Sequence, residues 1–257
     1  MGKMKILSVN SLNKTFETEK NIKTQVLEDI SFDVEEGDFI AIMGPSGSRI
    51  STLLYNISGM DKPTSGNIEI DGMDISKLDE DGLADVRLHK FGYVFQQPRL
   101  LKTLTVEENI MLAASVLNKE DKSVMQRKCN SLMEKAGIKE LARRDISTLS
   151  GGQAQRVSIC RSMMNDPKVI FADEPTGALN SRTSDEVMEL FVGMNKSGST
   201  IMLVTHDSKV AAKASQVWFL LDGQIYQKVE LGQWDQSSQS LLKRQEQVNE
   251  IITKLEV

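Results

Sequence analysis

Five consecutive apolar residues, Phe39-Ile40-Ala41-Ile42-Met43, run directly into the glycine-rich stretch Gly44-Pro45-Ser46-Gly47-Ser48-Arg49-Ile50-Ser51-Thr52. A strand with no polar alternation is buried on both faces, the environment of a parallel sheet covered by helices. Further short β-branched runs fall at residues 26–34, 67–70, 92–95, 169–172, 201–205 and 217–221, with helical patterns between several of them. That alternation predicts an α/β fold with a mainly parallel central sheet. Between residues 96 and 167 the strand signals stop. Thr105-Val106-Glu107-Glu108 reads as a capping box, and Val106, Ile110, Ala113 and Leu117 follow at helical spacing, which predicts a helical insertion. After Gly232 the chain turns rich in Gln and Ser, then sets Leu241, Val248, Ile252 and Leu255 on one stripe, as an appended amphipathic helix would.

The length of 257 residues suits one large domain with a subdomain, or two small ones, at about 150 residues per domain. Hydrophobic residues at 40% and charged residues at 26% exclude disorder and fibrous repeats. Thirty-one basic against 36 acidic residues leave a net charge of -5, which argues against nucleic acid as a partner. No run of 18 apolar residues exists, and Met1-Gly2-Lys3-Met4-Lys5-Ile6 lacks the apolar core of a secretion signal, so neither a membrane span nor export is expected. Cys129 shares a helical stripe with Met125, Leu132 and Ala136, and Cys160 with Val157 and Met164. Both read as buried thiols in a reducing cytoplasm.

Three stretches could carry chemistry. Residues 44–52 place a glycine-rich turn between a strand and a helix expected at 52–58, which aims backbone N–H groups at an anion. Against G-x-x-x-x-G-K-[ST], Arg49 stands for the second Gly and Ile50 for the Lys, while Ser51 keeps the hydroxyl. An ordinary Gly/Ser loop would read the same way. Val169-Ile170-Phe171-Ala172-Asp173-Glu174 ends a strand in two acids. There, one carboxylate could hold Mg²⁺ and its neighbour orient a water; the plain alternative is a solvated turn before Pro175. Leu149-Ser150-Gly151-Gly152-Gln153 opens a helix whose dipole could meet a second anion, or it is simply an N-cap. His206 and Gln96 end two further strands, where α/β folds bind ligands.

In this order the motifs resemble those of an ATP-binding cassette (ABC) ATPase, over about residues 7–226. The resemblance implies a P-loop NTPase core with an antiparallel β subdomain and a helical insertion. An ATPase domain would occupy 1–232, with the helical part at about 97–167 and a tail at 233–257. It implies ATP and Mg²⁺ as cofactors: Phe16 stacking on adenine, Gly44 to Thr52 around the phosphates, and Ser51, Gln96 and Asp173 at the metal. Glu174 would be the catalytic carboxylate, assisted by Gln96 and by His206 as the switch histidine. Ser150, Gly151, Gly152 and Gln153 would contact the γ-phosphate held by the partner subunit of a homodimer. The wording Phe171-Ala172-Asp173-Glu174-Pro175-Thr176-Gly177-Ala178-Leu179 and Asp61-Lys62-Pro63-Thr64-Ser65-Gly66 is similar to the branch serving macrolide export, lipoprotein release and bacitracin-type peptide resistance. Such subunits work beneath an integral-membrane permease, on the cytoplasmic face of the membrane.

Three residues depart from the family pattern. Ile50 removes a cation whose charge-assisted hydrogen bonds are worth about 1.5–3 kcal/mol, roughly 10- to 150-fold in affinity. Arg49 puts a side chain where glycine allows close approach. Asn180 stands for an Asp, keeping size and hydrogen bonding but losing charge. These departures admit a second expectation, a hydrolysis-deficient ABC protein with a regulatory or structural role. A role in DNA repair or translation is disfavoured by the single cassette and the absence of a basic stripe.

Overall fold

The structure, a computed structural model, describes residues 4–17, 23–45, 47–117 and 121–255. Its strands are β1 (Lys5–Glu17), β2 (Lys23–Glu35), β3 (Phe39–Met43), β4 (Ser65–Ile70), β5 (Met73–Asp74), β6 (Phe91–Val94), β7 (Val169–Asp173), β8 (Thr200–Val204), β9 (Gln216–Leu221) and β10 (Gln224–Glu230). Its helices are α1 (Ile50–Ile57), α2 (Glu80–Lys90), α3 (Val106–Leu117), α4 (Lys122–Lys135), α5 (Gly151–Ser162), α6 (Ser181–Lys196), α7 (Ser208–Ala211) and α8 (Ser238–Leu255).

The strands form two sheets. The central one has the order β10-β9-β3-β8-β7-β6; its pairs are parallel except β9–β10, which closes one edge antiparallel. The smaller sheet, β2-β1-β4-β5, is antiparallel throughout. The apolar runs at 26–34 and 67–70 therefore belong to this second sheet. The central β3 explains its own composition: Ile40 and Ile42 join the core beneath the antiparallel sheet, while Phe39, Ala41 and Met43 join the core under α6, α7 and α8. With an apolar layer on each face, no position of β3 tolerates a polar side chain.

α1 fills the space between the sheets with Leu53, Leu54 and Ile57, all fully buried. It starts two residues earlier than its apolar pattern indicates, because Leu53 N–H already donates to Arg49 O (3.1 Å). Similarly, the strand expected at 92–95 runs from Phe91 to Val94.

Between β6 and β7 the described residues form no strand, only the isolated bridge Thr105–Asp145. The Thr105 capping box forms, with Glu108 accepting from the Thr105 backbone N–H at 2.8 Å. The buried stripe of α3 continues through Ala114 rather than Ala113, since the helix meets α4 and α5 through Val106, Ile110 and Ala114. Cys129 and Cys160 are free thiols in that same core, and burial pushes their pKa values up to about 11 and about 12. No helix among the described residues is long and apolar enough to cross a membrane.

Candidate nucleotide-binding site

The chain leaves β3 at Gly44, where a Cβ would overlap the Leu220 carbonyl and the Ser48 hydroxyl, so only glycine fits. Gly47 sits at φ +91° in open space, and Ser48 N–H closes the turn on Pro45 O (3.0 Å). Ser46 lies outside the described residues. The turn ends on Arg49, the N-cap of α1, at φ 69° and ψ 23° with no side-chain cap. This left-handed conformation costs a non-glycine residue about 1–2 kcal/mol, so the backbone still has the shape that glycine would adopt freely. The guanidinium is exposed. Ile50 opens α1 from inside the core with Leu53 and Leu54, and only part of it borders the loop. Among the described residues of the loop, Arg49 is the sole cation.

A cavity of about 360 Å³ lies over this turn, lined by Pro45, Gly47, Ser48, Arg49, Ile50, Ser51, Thr52, Glu174, Val204 and His206. Glu174 comes from the end of β7 and His206 from the end of β8, so two parallel strands deliver their C-terminal side chains to one helix start, as doubly wound sheets do. Glu174 takes φ 44°, and its N–H bonds Val204 O at 3.1 Å. This left-handed turn leaves its carboxylate 2.7 Å from His206 Nε2. At that distance Nε2–H donates to Glu174 Oε1.

Asp173 lies one residue earlier. Burial and the neighbouring Glu174 charge push its carboxyl above the usual range, and Tyr55, one turn beyond Ser51 on α1, approaches it at 3.5 Å. Tyr55 escapes motif reading; its spacing of four from Ser51 is the one sequence signal for it. Gln96, two residues past β6, reaches the same place: a Cβ on Gly177 would overlap both Gln96 Nε2 and Glu174 Oε2.

Two predicted regions lie elsewhere. Phe16, near the end of β1, is 46% exposed and does not line the cavity; Lys14 Nζ sits 4.9 Å from its ring centroid. Ser150 caps α5 in a reciprocal capping box with Gln153, and none of Ser150, Gly151, Gly152 and Gln153 borders the cavity. Gly152 is packed: a Cβ there would overlap the Thr183 methyl. Asn180 caps α6, accepting from Thr183 N–H at 3.0 Å, as its retained hydrogen-bonding capacity leads one to expect.

The residues suit the expected ligands unequally. The hydroxyl of Ser51, the amide of Gln96 and the half-buried carboxylate of Asp173 are hard-oxygen groups appropriate to Mg²⁺. The first N–H groups of α1 and the absence of an acid in its first turn suit phosphate oxygens. The cation of such a site is missing at Ile50.

A strand–glycine turn–helix at the centre of a parallel sheet, facing an Asp-Glu strand end and a histidine, defines a P-loop type cassette. The chain belongs to the ABC transporter family, whose model matches residues 27–177. It is 40% identical to the bacitracin export ATP-binding protein BceA of Halalkalibacterium halodurans over 241 residues, 93% of this chain and 94% of that one. It is 42% identical to the macrolide export ATP-binding/permease protein MacB of Aggregatibacter actinomycetemcomitans over 222 residues, 86% of this chain but 34% of that protein. The chain thus spans about a third of the MacB proteins it matches. Among solved structures, the dimeric post-hydrolysis ATP-binding cassette MJ0796 with ADP and Pi superposes with a TM-score of 0.81 at 34% identity, covering 89% of this chain and 100% of that one.

Proposed function

We propose that this chain is the ATP-binding subunit of an ABC exporter, working as a pair beneath an integral-membrane permease that handles an antimicrobial peptide, macrolide or lipid-linked substrate. The names of the relatives support the substrate class. The observation that carries the reading is the 2.7 Å pair of Glu174 and His206, brought from two strands onto one glycine turn. Pairing would set Ser150 to Gln153 over the partner's loop, and their position away from this chain's own cavity supports that use in trans.

The residues divide the work as follows. Backbone N–H groups of the turn and of α1 hold phosphate oxygens; Ser51, Gln96 and Asp173 would hold Mg²⁺, which when bound neutralises charge on the phosphates. Glu174 orients and deprotonates the attacking water, and His206 fixes the direction of that carboxylate. Ile50 favours a second reading, that ATP binds weakly and hydrolysis is slow. A side chain buried in the core supplies no charge to a transferred phosphoryl group.

ATP affinity and turnover of the native chain, Arg49→Gly, Ile50→Lys and the double variant, with and without a permease, test both readings. The double variant should gain about 10- to 150-fold in affinity, the value of a charge-assisted contact. The Lys stem can follow the Ile50 path while its ammonium enters the cavity. Native turnover equal to that of the double variant would show that another group supplies the charge. No nucleotide binding by any of the four would overturn the ATP-binding reading itself.

A further inference from the structure

Helix α8 carries an arginine where its inward stripe should be apolar. Arg244 is buried between Leu241 and Val248 and donates from Nε to Ala212 O (2.7 Å), from Nη1 to Leu231 O (2.7 Å), and from Nη2 to Gly232 O (3.0 Å) and Ala214 O. No ion pair to a described carboxylate forms, and burial lowers its pKa while the Asp235 charge acts against that. Four backbone carbonyls therefore replace the counter-ion, which matches the fixed fork of guanidinium donors.

The carbonyls come from two segments. Leu231 and Gly232 follow β10, whereas Ala212 is the C-cap of α7 and Ala214 lies in the turn that follows it, where backbone oxygens lack helical partners. α7 begins two residues after His206, with Asp207 as its N-cap. Its front is fixed by Asp207, which accepts from Lys209 N–H (2.7 Å), while the Asp207 N–H donates to Thr205 Oγ1 (3.0 Å). α8 approaches this region twice more. Gln245 Nε2 donates to Ser208 Oγ at 3.2 Å, and Ile252 and Leu255 share a cavity of about 260 Å³ with Gly44, Pro45 and His206.

We propose that α8 braces the nucleotide site and that Arg244 is a positioning residue, holding the rear of α7 so that His206 stays against Glu174. The inference rests on reading that pair as part of the site, but its test needs no nucleotide. The sequence contains two histidines, His89 and His206, so ring ¹H–¹³C spectra of the full chain resolve them, with His89→Gln for assignment. Glu174→Gln marks where the His206 signals fall when the contact with the carboxylate is lost. Arg244→Met should move them toward those positions, and Arg244→Lys should recover part of the native signal. Val248→Ala loosens the packing of α8 on α7 without touching the carbonyls and should move the His206 signals less than Arg244→Met does. A folded Arg244→Met variant with native His206 signals would overturn the proposal, as would Val248→Ala shifting them equally. If Arg244→Met does not fold, Arg244→Lys decides: unmoved signals overturn the brace. Failure of the chain to bind ATP would sink the functional reading and leave these spectra as they are.

Discussion

Asp173 is the residue at which function and stability conflict. Burial and the adjacent Glu174 charge raise its folded pKa above the unfolded carboxylate value, with Tyr55 acting the other way. A raised carboxylate binds its proton better when folded, so the ionised form costs stability at neutral pH, and the cost fades as pH falls toward the unfolded pKa. Asp173→Asn should therefore raise the melting temperature at pH 7, by about 2–4 °C for each kcal/mol relieved. Thermal melts across the acid range should show that advantage shrinking; a less stable Asn variant at pH 7 would contradict the assignment. Ile50 shows the limit of reading single residues. That a cation is missing is legible in the motif, but that the replacement belongs to the core is not, since it depends on α1 starting at residue 50.

The clearest test at the level of elements is the packing of α5 on α6. Gly152 of α5 lies against Thr183 of α6, and a methyl group there would overlap a short branched side chain with little freedom to move. Gly152→Ala should destabilise the fold by about 1–3 kcal/mol, the usual cost of overpacking, measurable by urea unfolding. A neutral result would mean that the glycine serves only an approaching phosphate. The capping box of α3, the Ser150 cap of α5, the doubly buried β3 and the tail helix were all legible because each has a local signature; that Gln153 returns the Ser150 bond was not. β1 was not, since register shifts after Val9 and Leu12 break its alternation. β10 hides for another reason: as an edge strand it has no buried residue. α2 buries only Leu83 and Val86 on an otherwise polar surface. α6 carries a readable stripe, Val187, Met188, Phe191 and Val192, but a polar first turn delays it. For the site, the order of motifs located the loop, the strand-end acids and the histidine. Arg244 became visible only through contacts between distant segments, and Tyr55, whose spacing from Ser51 says only which face of α1 it shares, through its approach to Asp173.

For the whole molecule, the expected partner is the permease. The segment from Gln96 to Leu104 leads into the helical insertion and shows Leu101 at 47% exposure, while Arg161 holds the Pro98 and Arg99 carbonyls beneath it. This edge is suited to docking, and co-expression with a matching permease should carry the chain into the membrane fraction. Leu101→Asp should return it to the supernatant without lowering its melting temperature. Retention of that variant would move the contact elsewhere. The left-handed turn at Arg49 also bears on which side chains the scaffold can accept. The backbone works like a mould that outlasts the part cast in it: the bend persists although its present occupant resists it. Glycine at 49 and lysine at 50 would thus enter the loop with no strand or helix to rebuild. Exchange of these two adjacent side chains would then change what the loop offers a phosphate while the scaffold stays the same.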